Sequence, residues 1–179
     1  MTLYWLDPFL PTGTTTMQEP PAGPHTLVAD IGGTNARFAR VDADGRPYAE
    51  RSLPGADFPG LTAAAKAYLD ATGGPRPVRA AVAVATPVTG DWIQFTNSDW
   101  SFSIEAARRE LGLERLTILN DFTALALALP LLGPDERRAV GGGEAAPEAP
   151  IGLIGAGTGL GVSGLVWSGE RWIPLQTEG

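Results

Sequence analysis

Residues 26–35 read TLVADIGGTN: a short apolar run that ends in a carboxylate and turns on two glycines. The run is β-prone and too short for a helix, so 26–31 predicts a buried strand. Residues 35–42 and 47–53, joined around Asp44-Gly45, predict a hairpin that follows at once. Strand, Gly-Gly turn, strand is not the strand–turn–helix order of a dinucleotide-binding unit, and the G-x-G-x-x-G spacing is absent. A second glycine-rich turn, GAGTGLG at 155–161, also lies between two strands, IGLIGA and GVSGLVW.

Between the two turns the pattern alternates. Pro59-Gly60 opens a helix with Leu61, Ala65, Tyr68, Leu69 and Thr72 on one face, and Gly73-Gly74 close it. VRAAVAVA at 78–85 predicts a strand buried on both faces. WIQFTN at 92–97 predicts another. Ser103 caps a helix lined by Ile104, Ala107 and Leu111, with Gly112 at its C-terminal cap. RLTIL at 115–119 is a strand, and FTALALALPLL begins a helix that Pro130 interrupts. Residues 133–150, rich in Gly, Pro, Ala and Glu, predict a loop. A turn at Ser168-Gly169 and a strand RWIPL follow the second glycine turn. The order is α/β. Residues 1–25, with five prolines, read as a disordered extension.

Composition narrows the chemistry. Hydrophobic residues make up 44% and charged residues 18% of the 179 residues, a globular balance. No apolar run approaches the ~20 residues of a membrane helix. There is no cysteine, which excludes a disulfide frame and a cysteine zinc site and fits the cytoplasm. A net charge of −7 repels nucleic-acid phosphates. The one histidine, His25, adjoins the Pro/Gly-rich tail, which all but excludes a Ser-His-Asp triad. Lys66 sits in AAAKAYL, so there is no Walker A loop. Phosphate chemistry here is left to backbone amides and a metal ion.

Four polar stretches then stand out. In Asp30-Ile-Gly32-Gly33-Thr34-Asn35 the turn amides can form a nest for phosphate oxygens, and the carboxylate can hold Mg²⁺ through water. An ordinary Gly-Gly hairpin turn reads the same way. In Gly155-Ala-Gly157-Thr158-Gly159-Leu-Gly161 the alternating glycines leave room for an anion to approach, as do many plain hairpins. Asn120-Asp121 follows a strand and precedes a helix, a place for a general base and equally for a helix cap. Asp91 and the cluster Thr96-Asn97-Ser98-Asp99, set between Trp92 and Trp100, suit a hydroxyl-rich ligand, while both tryptophans read first as core residues.

In this order DIGGTNARFA, PVTGDWIQFTNSDWSFS, ILNDFTALALALP, GAGTGLGVSGLV and WIPLQTEG resemble the bacterial glucokinase family over residues 26–179. The resemblance implies an actin/hexokinase-type (ribonuclease H-like) α/β fold. Residues 26–122 would form its small domain and 123–179 the incomplete start of the larger one. It implies ATP-dependent phosphorylation of D-glucose to D-glucose 6-phosphate with Mg²⁺ in the cytoplasm, with no nucleic-acid or membrane partner. The family is often homodimeric. Asp121 would be the general base, and Asn120, Glu178 and Asn97 would bind the sugar. Asp30 would act on Mg²⁺. Gly32, Gly33, Thr34 and Asn35 would hold one side of the ATP phosphates, and Gly157, Thr158 and Gly159 the other. The family continues past Glu178 with a Gly-Gly-His segment and most of the larger domain, so the 179 residues read as truncated and inactive alone. A sugar-binding fragment without turnover, a kinase of another hexose, a repressor and an actin-like ATPase are the competing readings. The tail is no helix-turn-helix, which speaks against the repressor, and 87–103 speak against the ATPase.

Overall fold

The computed structural model describes residues 3–5, 25–96, 98–144, 146–156 and 160–175. Its strands in chain order are β1 (Leu3–Trp5), β2 (Thr26–Ile31), β3 (Asn35–Val41), β4 (Pro47–Pro54), β5 (Arg79–Val84) and β6 (Trp92–Gln94). After these come β7 (Ser101–Ser103), β8 (Arg115–Asn120), β9 (Arg138–Val140), β10 (Ile151–Ala156), β11 (Leu160–Trp167) and β12 (Trp172–Leu175). The helices are α1 (Leu61–Thr72), α2 (Ile104–Glu110) and α3 (Asp121–Ala128). The chain falls into two compact units, Thr15–Asp121 and, with Met1–Thr14, Phe122–Gly179.

The first unit is built on a five-stranded sheet in the order β4-β3-β2-β5-β8. The β2–β3–β4 meander is antiparallel, whereas β5 and β8 add parallel to β2. The β3–β4 turn is closed by the Asp42 carboxylate, which accepts from the amides of Asp44 at 3.0 Å and Arg46 at 2.8 Å, with Gly45 at φ +81°. This is the local backbone mimicry that places Asp in turns. Helix α1 packs on β3 and β4, α2 on β8, and the two helices touch. They share one core with Leu27, Ile31, Phe38, Val82, Val84 and Ile118 of the sheet. The strand expected to be buried on both faces, β5, is fully buried at Ala80, Val82 and Val84 and half-buried at Ala81 and Ala83.

Helix ends carry their own logic. The Ser103 hydroxyl accepts from the Ala106 amide at 3.1 Å and caps α2. Gly73, at φ +63°, ends α1 in a conformation that side chains disfavour. The Arg40 guanidinium, 1% exposed, donates to the carbonyls of Pro75 (2.6 Å) and Gly73 and to the Thr72 hydroxyl (3.4 Å). A cation thus meets the carbonyl-rich end of α1.

Three short strands were not foreseen. β7 pairs antiparallel with β6, the strand placed at 92–97 stopping at Gln94. β9 lies in the stretch read as loop and pairs with β1 from the stretch read as extension. In the second unit β10, β11 and β12 form an antiparallel sheet. Helix α3 passes into a 3-10 turn over Leu129–Leu131 at Pro130. Trp100 is in the core, its indole N–H donating to the Phe58 carbonyl at 3.0 Å. Trp92 is 61% exposed, against the expectation, because its neighbour Ile93 takes the inward position of the hairpin.

Candidate active site

The three parallel strands of the first unit end together. Ile31 of β2 is in register with Val84 of β5, and Val84 with Asn120 of β8. The turn that follows β2 and the Asn120-Asp121 pair therefore leave the same carboxyl edge, two strand spacings or roughly 10 Å apart. Ligands in open α/β sheets bind beyond that edge.

The first turn is narrow. The Gly32 amide donates to the Asn35 carbonyl at 3.0 Å, and the Thr34 carbonyl accepts from the Gly55 amide at 2.8 Å. The Gly32 N–H is thus committed within the turn. The stretch Gly33–Thr34–Asn35 is exposed. A Cβ on Gly32 would lie 3.7 Å from the Asn35 carbonyl, an ordinary contact. Folding alone does not demand glycine there.

Asp30 lies one residue before the end of β2, opposite Arg37 of β3. Their side chains form an ion pair at 3.7 Å, the Asp30 side chain remaining 55% exposed. Loss of hydration pushes the Asp30 carboxyl above its ordinary value, the Arg37 guanidinium pulls it back, and the charge of Asp121 pushes it up again. Two carboxylates in electrical contact at a strand edge are a donor set suited to a hard cation that keeps most of its waters. Among the described residues no group of three or more metal-ligating side chains gathers.

Asn120 is buried at the end of β8, and its amide donates to Asp121 Oδ1 at 2.9 Å and to the Thr86 carbonyl at 3.4 Å. Thr86 is itself buried and donates from its hydroxyl to the Gln94 carbonyl at 2.9 Å. The carboxylate of Asp121, first residue of α3, is thereby oriented by a chain of contacts that runs back to β6. Sequence reading missed two residues here. Thr86 carries no local signal. Arg37 does: pairing Ile31 with Ala36 across the turn puts Asp30 against residue 37. The Arg37 guanidinium stands beside the Asp30 carboxylate at this edge.

Of the expected site residues, Asp30, Gly32, Gly33, Thr34, Asn35, Asn120 and Asp121 are described and stand at this one edge. Asn97, Gly157, Thr158, Gly159 and Glu178 lie outside the described residues.

The family model described as Glucokinase matches residues 27–179. A "Bifunctional protein glk" of Paraburkholderia xenovorans is 51% identical over 172 residues, covering 94% of this chain and 27% of that protein. A glucokinase of Aromatoleum aromaticum is 54% identical over 157 residues, covering 86% and 47%. The crystal structure of a glucokinase from an Antarctic psychrotroph superposes with a TM-score of 0.79 at 35% identity, covering 88% of this chain and 51% of that one. A ROK family glucokinase from Streptomyces griseus, solved with glucose and AMPPNP, shares the fold with a TM-score of 0.60 at 22% identity, covering 86% and 47%. The chain thus spans about a quarter to a half of the length of these curated relatives. The α/β, actin-like sugar-kinase fold stands as expected. Together with the match of the family model over nearly all of the described core, these likenesses settle the family: the chain belongs to the glucokinase family.

Proposed function

We propose that this chain carries the base-bearing part of an ATP-dependent glucokinase, which makes ADP and D-glucose 6-phosphate from ATP and D-glucose. The observation that carries the reading is the common strand edge: turn 32–35, Asp30 and the oriented Asp121 all leave it. Family membership supports the reading from outside.

Phosphoryl transfer needs alignment and neutralisation of charge more than covalent help. In this reading Asp121 takes the proton of the sugar 6-hydroxyl. That oxygen bonds to the γ-phosphorus as the bond to the β–γ bridging oxygen breaks, and ADP leaves. The Asn120 amide holds the Asp121 carboxylate in place and reaches sugar hydroxyls, a task shared with Asn97 and Glu178. Gly33, Thr34 and Asn35, with Gly32 shaping the turn, face the phosphates from one side, and Gly157, Thr158 and Gly159 from the other. Arg37 supplies a positive charge beside Asp30. Asp30 would hold Mg²⁺ through water, and the ion would screen the charge of the ATP phosphates.

Residues 26–122 act as the small domain in this reading, and 123–179 open the larger one. Family membership supports a cytoplasmic place, and the acidic charge argues against a nucleic-acid partner. No described helix is long and apolar enough to cross a membrane. Homodimer formation belongs to the same reading, and sedimentation tests it.

The deciding experiment is a coupled assay for glucose 6-phosphate with Mg-ATP on the full-length protein and on Asp121→Asn. Glucose-dependent turnover that falls by about 10²–10⁴-fold in the variant supports the reading. Equal turnover in both removes Asp121 as the base. ATP hydrolysis indifferent to sugar removes the sugar kinase.

A further inference from the structure

Two glycines of the second glycine-rich stretch, Gly155 and Gly161, face an occupant. Gly155 of β10 and Gly161 of β11 are direct cross-strand partners, so both present their absent side chains to the same face of the sheet. The ring of Phe122, second residue of α3, lies against that face. A Cβ at Gly155 would stand 2.8 Å from ring atoms Cε1 and Cζ. One at Gly161 would collide with Cζ, Cε2 and Cε1. Neither clash is relieved by a flexible tip, because an aromatic ring on the first turn of a helix moves only as a whole. The notch is two residues wide, and the end of the ring fills it.

Alternating glycines were read above as room for an anion. Gly155 and Gly161 serve a different end in this structure, since their open side already holds carbon. Phe122 is also the chain neighbour of Asp121. We propose that Phe122 is a positioning residue for the transfer reaction. Seated on the Gly155–Gly161 pair, its ring sets where the β10–β11 hairpin packs against Phe122 and the residues of α3 that follow it. The proposal rests on the kinase reading above. It assigns Gly155 and Gly161 to the ring.

The test is a double-mutant cycle of Gly161→Ala and Phe122→Leu in the full-length protein. Leu lacks the Cε and Cζ atoms that the new methyl would strike. Gly161→Ala alone should lower the thermal midpoint and cut kcat/KM for Mg-ATP by about a hundred-fold, the scale of a displacement near 1 Å. Adding Phe122→Leu should recover about ten-fold of that loss and part of the thermal midpoint. Phe122→Leu alone should lower kcat/KM for Mg-ATP by about ten-fold and leave KM for glucose within about two-fold, a split that loosened packing would not produce. A double variant no better than Gly161→Ala would overturn the proposal, because the glycine would then serve the ligand. So would Phe122→Leu with unchanged kinetics, which would make the ring packing only. Wild-type protein without hexose turnover overturns the kinase reading and the positioning role with it, while the unfolding cycle still reports whether the glycine pair seats the ring.

Discussion

At Asp30 burial and two neighbouring charges act against one another. Burial and Asp121 push its carboxyl up from its ordinary value, and Arg37 pulls it down. A carboxyl raised in the folded chain keeps its proton to higher pH than in the unfolded chain, so this group favours folding in acid and less so as pH rises past its folded value. For Mg²⁺ the sign is opposite, since only the carboxylate attracts the ion. Mg-ATP affinity should therefore fall on acidification at a pH above the ordinary carboxylate range, and Arg37→Gln should move that fall to higher pH still. Titration of Mg-ATP binding in both proteins checks it, and an unmoved midpoint would remove Arg37 from the site. Tyr68 gives a second pH mark. Its hydroxyl, buried and donating to the Ala49 carbonyl at 2.9 Å, is raised to about 12 from 10.0. Stability should be full below pH 10 and decline between 10 and about 12, a decline that Tyr68→Phe removes.

At the scale of elements, two contacts hold the first unit's helices in place. Arg40 fastens the end of α1 to β3 through the carbonyls of Gly73 and Pro75 and the Thr72 hydroxyl. Arg40→Met keeps the bulk and removes those charge-assisted bonds, and should cost about 1.5–3 kcal/mol in urea unfolding. A loss below about 0.5 kcal/mol would mean that water serves the carbonyls equally well. Helix α2 is started twice over. Ser103 caps it, and Asp91 accepts from the Glu105 amide at 2.9 Å and from the Ser103 hydroxyl at 2.5 Å. Those hydrogen bonds, the Ser103 hydroxyl first, hold the Asp91 carboxyl below its usual range. Ser103→Ala should cost about 1 kcal/mol, read by the same method.

Across the whole molecule the two units differ in how they are covered. The first buries one contiguous core. The second carries an apolar sheet face on β10–β12. Ile154 pairs with Val162 and Val166 with Ile173 across the strands, and all four are exposed, as are Leu160 and Leu175. Contiguous apolar faces of this kind drive association in water. The 179-residue chain should sediment as concentration-dependent oligomers, and Ile154→Glu with Val162→Glu should shift it toward monomer. A monomer at all concentrations in the unaltered chain would show that this face is protected.

What the sequence by itself determined is what local chemistry determines. The β2 strand and its Gly-Gly turn, the Asp44-Gly45 hairpin, the Ser103 cap and the Gly73 stop each follow from a few adjacent residues. Their reading holds because periodicity, capping and turn preference act within one or two turns of chain. The strands β1, β7 and β9, three residues each, have too short a pattern to announce themselves and exist through their partners. Tertiary structure alone decided which side of a hairpin Trp92 takes and that Thr86 steadies Asn120. It likewise decided that Arg37 tempers Asp30, and that a phenyl ring fills the room two glycines leave. Each of these depends on sheet order and register, which join residues dozens of positions apart, and no local propensity encodes that.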